Sequence, residues 1–559
     1  MIVRFDMMAP FMPTRRRPRK APLAAWSIDR RLLSRLILAA AALYAAHRGV
    51  SRLWRVWEYG VRLEPQAALY GHDGLVRVTL ATRSPETAAG LRRDPPSFSV
   101  LKDGKVVTTI GKKSLFSLAY DTSTGRWTGA WPCPWNAPQG VYTLALEKRP
   151  DLALDLSAGS FRIERRRPAP LKPGFVALTL ETVQPFKNMR VRAPDGSLKD
   201  WTGLLDWAHY VGADAFWVLG GQSPGLTRGS IWNDDNLSLY PAIGRECHRR
   251  GIKFGLYVQC YLTMGRPGAL RRYEYAVDVS SGRPVLTRAI SLDDPRRLED
   301  IIERLKGFRD IPEVDFLGLD YIRNALGGYE LADEFYGEMP FLKRPPGWSH
   351  LPRAEKMLLF ARKKVARKDS AFIDAWQWWR AHKVAGIVRR IKKAVGSRKP
   401  LWTFTLSWDK GWHHGQDPVM MNDAGADIDA VMLYEADDRQ YAQIMKDWHS
   451  YVRRKDVQLA PGDIIDWWLH QHAPDGPEEF YRRLKLAIDT IYADGRAHAV
   501  FYHDIGRALH GNLGPWTTKD WMNAAKRVTE YLRESKGKPR KAAEGTRKQE
   551  KAAGGAGKS

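Results

Sequence analysis

FVALTLE at residues 175–181, a helical stretch at 201–211 and AFWVLG at 215–220 set the reading of the chain. An apolar run that ends on an acid, an amphipathic segment with Leu204, Leu205 and Ala208 on one face, and a second apolar run make one strand-helix-strand unit of a parallel sheet. The texture repeats. Strand runs follow at 253–261 (KFGLYVQCY), 316–322 (FLGLDYI), 401–408 (LWTFTLSW), 430–435 (AVMLYE), 457–465 (VQLAPGDII) and 497–504 (AHAVFYHD). Helical patterns lie between them at 240–250, 295–308, 372–395, 440–452 and 478–493, and a last helix begins near Thr518. Asp294 caps the second of these, Pro295 opens it, and Leu298, Ile301, Ile302, Leu305 and Phe308 share its stripe. Eight strands alternating with helices predict an α/β fold, a (β/α)8 TIM barrel. An open doubly wound sheet is the rival, but no Gly-rich phosphate loop follows the first strand.

Upstream the period changes to two. Short alternating runs at 75–80 (LVRVTL), 98–101, 106–110, 141–146 and 161–163, with turn residues Asp103-Gly104 and Gln139-Gly140, predict a β-sandwich of immunoglobulin-like size. RRRPAPLKP at 165–173 is a stiff linker. The expected organisation is therefore a basic segment at 1–55, an immunoglobulin-like sandwich at 56–167, the barrel at 168–534 and a basic tail at 535–559.

Charge follows that division. Of the net +27, residues 1–55 carry +10 and 535–559 carry +6, leaving +11 on the body. The high pI therefore belongs mostly to the ends, and no specific nucleic-acid partner is expected. Leu36 to Ala46 (LILAAAALYAA) follows a dense run of arginines and is shorter than the roughly 20 apolar residues a span requires. It reads as a signal peptide or membrane anchor that places the body outside the cytoplasm, in the periplasm or at the cell surface. Cys133, Cys247 and Cys260 show no metal-binding spacing and read as buried small residues.

In a barrel the reactive groups stand where strands end and the following loops begin. Those points hold Glu181, Trp217, Gln259, Asp320 with Arg323, Trp408 with Asp409 and Trp412, Glu435, Asp463 with Trp467, and His503 with Asp504. Recurrent carboxylates suit glycosidic hydrolysis, which needs one group to attack or stabilise the anomeric carbon and another to protonate the leaving oxygen. Asp320 is the foremost candidate, because a charge inside an apolar strand is costly and is kept for a purpose. Glu435 repeats the situation. The expected catalytic pair is Asp320 attacking and Glu435 exchanging the proton, with retention of configuration. The other residues would bind substrate, the tryptophans as flat platforms for sugar rings.

GLDYIR at 318–323 resembles the fourth-strand motif of bacterial glycosyl-hydrolase-like barrel proteins related to the α-galactosidase and α-amylase superfamily. LYPAIGRECHRRGIKFGLYV at 239–258 is similar to their helix and third strand, and the likeness spans roughly residues 174–510. It implies a nucleophilic Asp320, an acid/base at Asp409 or Glu435, and a carbohydrate polymer or oligosaccharide as partner. Asn324 to Gly328 (NALGG) departs from the Phe/Tyr-Pro that the family carries after the arginine. That departure leaves a non-catalytic glycan-binding barrel as an alternative. A metal-dependent hydrolase built on His413, His414, His470, His472 and His503 is a third, though neither a metal nor a cofactor is expected.

Overall fold

The computed structural model describes residues 37–48 and 61–535, except 83, 148–156, 183, 225–229, 408–412, 435–436, 453, 455, 468–475, 493–498 and 510–512. Contacts divide the chain into Met1–Gly60 and Val61–Ser559. In the first unit residues 37–48 are helical. No helix among the described residues is long and apolar enough to cross a membrane. The arginine-rich residues before 37 and the basic tail from 536 lie outside the described residues.

Eight strands of the second unit form a closed parallel barrel. They are β1 (Phe175–Leu180), β2 (Ala215–Ser223), β3 (Lys253–Thr263), β4 (Phe316–Asp320), β5 (Leu401–Leu406), β6 (Ile428–Met432), β7 (Leu459–Ile464) and β8 (Ala499–His503). Each pairs with its sequence neighbours, and β8 pairs with β1, so no edge is left open. The open-sheet alternative is thereby excluded.

Alternation along each strand decides what faces the lumen. Phe175 and Ala177, Trp217 and Leu219, Phe316, Trp402 and Phe404, Ala460 and Phe501 form one buried cluster inside the barrel. The indoles of Trp217 and Trp402 stack 4.1 Å apart at its centre. Gly255 and Gly318 make room for them: a Cβ on Gly318 would run into Trp402, and one on Gly255 would stand 2.6 Å from Trp217. The same alternation carries Thr179, Tyr257 and Asp320 up the lumen wall toward the carboxyl ends.

Helices cover the outside. Pro295–Arg309 opens on Asp294, whose carboxylate accepts the Arg297 backbone N–H, and Leu298, Ile301, Leu305 and Phe308 are buried on its inner face. Ser370–Val395, at 26 residues, is the longest among the described residues. A hairpin that the sequence reading did not anticipate, Tyr275–Ser280 with Arg283–Ile290, extends β3 beyond the barrel rim.

Residues 62–163 form two mainly antiparallel sheets, of five and six strands. Buried polar bonds tie them to the barrel. His72 meets the Asp423 carboxylate through its backbone N–H at 3.0 Å and through Nδ1 at 2.5 Å, and Arg454 donates to the same oxygen at 2.7 Å. The Trp378 indole donates to the Cys133 carbonyl at 3.0 Å. Cys133, Cys247 and Cys260 are all buried and unpaired with one another.

Candidate active site

The uppermost lumen layer is polar. Glu181 follows β1 and stands two residues above Thr179, Gln259 stands two above Tyr257 on β3, Asp320 ends β4, and His503 ends β8. Gln259 and Asp320 are register partners on neighbouring strands. Period-two alternation thus brings residues more than 300 positions apart in the chain to one mouth.

Glu181 is the hub. Gln259 Nε2 donates to Glu181 Oε1 at 2.7 Å, and His503 Nε2 lies 3.1 Å from Oε2. The backbone N–H of Glu181 donates to Asp504 Oδ1 at 2.7 Å, and that oxygen also accepts the Gly506 N–H at 2.9 Å. His503 Nδ1 is 2.7 Å from Thr179 Oγ1, and the Tyr434 ring stacks on the imidazole at 5.3 Å, nearly parallel. Both ring nitrogens are therefore spoken for, with the Nε2 proton directed at a carboxylate.

Environment sorts the carboxyl groups by proton affinity. Burial raises Asp320, the Glu181 charge raises it further, and together they outweigh Arg323 and the Tyr321 N–H and push it up to about 7. Burial also acts on Glu181, but the His503 hydrogen bond, the His503 and Arg507 charges and the Gln259 hydrogen bond overcome it and hold the carboxyl below its ordinary range. His503 is raised, burial notwithstanding, by its hydrogen bond to Glu181 and by the charges of Asp504, Glu181 and Asp320. Burial lifts Asp504 to about 6. The two carboxyl groups of the mouth are thus pushed in opposite directions, Asp320 toward holding its proton and Glu181 toward losing it, which is the division of labour acid-base chemistry uses.

Other polar atoms wait there. Gln259 Oε1 and Arg323 Nη1 are buried without a hydrogen-bond partner among the described residues. Tyr321, directly after Asp320, holds φ +46°, a left-handed backbone that side chains rarely adopt, while its N–H donates to Asp320 Oδ1 at 2.7 Å. Arg323 lies over the Tyr321 ring at 4.3 Å.

Glu181, His503 and Asp504 each offer one ligand atom, all within 4.8 Å of one another. A divalent cation would require His503 Nε2 without its proton. The raised affinity of His503 and its bond to Glu181 favour the proton at that place.

The remaining sequence candidates divide. Trp217 is fully buried in the stack with Trp402 and is no sugar platform, because its ring fills the lumen below the mouth. Asp463 is likewise displaced: it points outward from β7 and meets Arg483 Nε at 3.3 Å beneath the helices. Trp467 is half-buried and packs over Gly514. Trp408, Asp409, Trp412 and Glu435 lie outside the described residues, as do His470 and His472. His414 bonds the Asn324 carbonyl at 2.8 Å, and burial lowers it to about 4. Thr179, Tyr257 and Tyr434 were not anticipated; counting back two residues from Glu181 and Gln259 would have found the first two.

No protein-family model and no curated protein matches the chain. Among solved structures it is similar to a type I pullulanase of Bacillus subtilis, at 9% identity over 80% of this chain and 69% of that one, with a TM-score of 0.35. A β-galactosidase of Marinomonas ef1 aligns at 12% identity over 65% and 59%, with a TM-score of 0.40. A chitinase of Bacteroides thetaiotaomicron aligns at 10% over 65% and 97%, with a TM-score of 0.35. The chain itself defines a closed parallel (β/α)8 barrel with a carboxyl-lined mouth.

Proposed function

We propose that this protein is a glycoside hydrolase acting on an oligosaccharide or polysaccharide, with Asp320 and Glu181 as its two carboxyl groups. The observation that carries the reading is the gathering of both carboxyl groups at one barrel mouth, buried Asp320 at the end of β4 and Glu181 after β1 in the grip of Gln259 and His503, in surroundings that raise the proton affinity of the first and lower that of the second. Asp320 then gives its proton to the leaving glycosidic oxygen. Glu181, ionised and held by Gln259 and His503, attacks the anomeric carbon as that bond breaks. In the second half Asp320, now a carboxylate, takes a proton from water, the water oxygen bonds the anomeric carbon, and Glu181 leaves with its electron pair. Configuration is retained.

This reverses the role the sequence expectation gives Asp320, for a physical reason: a carboxyl that keeps its proton near neutrality suits donation better than attack. Glu435, the expected proton donor, lies outside the described residues. The buried unpartnered atoms of Gln259 and Arg323 supply an acceptor and a donor for sugar hydroxyls. We further propose that the two sheets at 62–163 are an immunoglobulin-like sandwich and that the body works outside the cytoplasm, which cell fractionation tests. For the reaction, proton NMR of the first product formed reads the anomer: retention supports the pair, and inversion rejects Glu181 as nucleophile.

A further inference from the structure

An open cleft of about 910 Å³ lies immediately past the end of β3, lined by Arg266, Arg271 and Arg288 among small and apolar residues, with no acid in its wall. Its floor is fixed to the strand that carries Gln259. Thr263 Oγ1 donates to the Arg288 carbonyl at 3.1 Å, and Leu262 pairs with Ala289. Met264 is five residues beyond Gln259, hence at most about 18 Å from it along an extended chain. The cleft therefore stands on the mouth side of the barrel.

The arginines differ from their neighbours. Arg272 is held by both oxygens of Asp300, at 3.0 and 2.8 Å, and Arg296 by Asp294. Arg266, Arg271 and Arg288 are exposed and have no carboxylate within ion-pair distance among the described residues. Beside them Met264 and Leu286 are 48% and 52% exposed, and Leu286 lies against Gly268. Guanidinium groups recognise carboxylates by paired hydrogen bonds, and exposed apolar side chains suit the C–H face of a pyranose.

We propose that this cleft is a subsite for a carboxylate-bearing sugar, so that the substrate is an acidic saccharide containing uronic acid residues. The inference rests on the glycosidase reading and names the substrate class of the same mouth. Occupancy of the cleft by a uronate would anchor the chain one or more units from the bond held between Asp320 and Glu181.

The test uses the full chain carrying Asp320→Asn, so that ligand is bound and not consumed. Calorimetry compares hexagalacturonate, its carboxyl-reduced neutral counterpart and a sulfated neutral hexasaccharide, at low and high salt. Binding of the uronate at least ten-fold tighter than the neutral sugar is expected, with the advantage shrinking in salt. It should vanish in the triple variant Arg266→Gln, Arg271→Gln, Arg288→Gln at unchanged thermal midpoint. Equal binding of acidic and neutral sugars, a preference for sulfate over carboxylate, or a triple variant that keeps its uronate preference overturns the proposal. Turnover of small neutral aryl glycosides by the unmodified chain reads the carboxyl pair separately, so its failure indicts the catalytic reading and leaves the binding result standing.

Discussion

Asp320 is 5% exposed, and its proton is the most informative single feature of the molecule. Under the proposed mechanism the active form of the free protein has Asp320 protonated and Glu181 ionised, so kcat/KM should fall as pH rises through about 7. Because Glu181 is lowered, the acidic limb should lie below the ordinary carboxylate range. A profile flat through pH 8 would detach Asp320 from the reaction. Linkage gives an independent reading. A folded-state affinity above the unfolded one contributes stability that is complete below the unfolded pKa and lost as pH rises through the folded value. Asp320→Asn removes that loss, so its thermal midpoint should exceed the unmodified protein's by a few degrees at pH 8, with the gap narrowing toward pH 4. Glu181 was legible as an acid after β1, but its hydrogen bonds to Gln259 and His503 were not: barrel closure, which no local pattern encodes, sets β8 beside β1 and lets Gln259 reach it from β3, one strand further round.

At the scale of elements, the strands were readable because parallel strands buried on both faces appear as apolar runs with helical stripes between them. Their ends were less so. β5 ends at Leu406 and not at residue 408, and β6 begins at Ile428 and ends at Met432. The rim hairpin was missed since RPVLTRAI at 283–290 is largely exposed and lacks a clean alternation. Trp217 shows the limit of reading sites from strand ends: an aromatic only a third of the way along β2 packs below the mouth. The lumen stack is testable there. Trp402→Ala should cost about 3–5 kcal/mol by opening a cavity against Trp217, Phe404 and Tyr257. A loss under about 1 kcal/mol in chemical denaturation would mean that the lumen does not depend on this ring.

Across the whole molecule, the junction of the two sheets with the barrel rests on a charge cluster that no local pattern announces, its members lying at 72, 423 and 454. Burial acts on Asp423 first, yet the His72 hydrogen bond and the Arg454 charge hold it below its ordinary value. Such a depressed carboxyl contributes stability above the unfolded pKa, lost as pH falls through the folded one. Asp423→Asn should therefore lower the thermal midpoint clearly at pH 7, where breaking a buried pair costs about 3–5 kcal/mol, and the difference should shrink as pH falls below the ordinary carboxylate range. A constant difference across that range would assign the effect to packing instead of charge.

The central claim is the pairing of a proton-donating Asp320 with an attacking Glu181, and first-turnover kinetics on aryl glycosides tests it most directly. A dinitrophenyl leaving group needs no proton, whereas an alkyl or sugar leaving group does. With Asp320→Asn the account predicts nearly unchanged release of dinitrophenolate in the first turnover and a loss of about 10²–10⁴-fold on the poor leaving group. Glu181→Gln should abolish both. Equal loss of both substrates in Asp320→Asn, with Glu181→Gln still releasing dinitrophenolate, would contradict it.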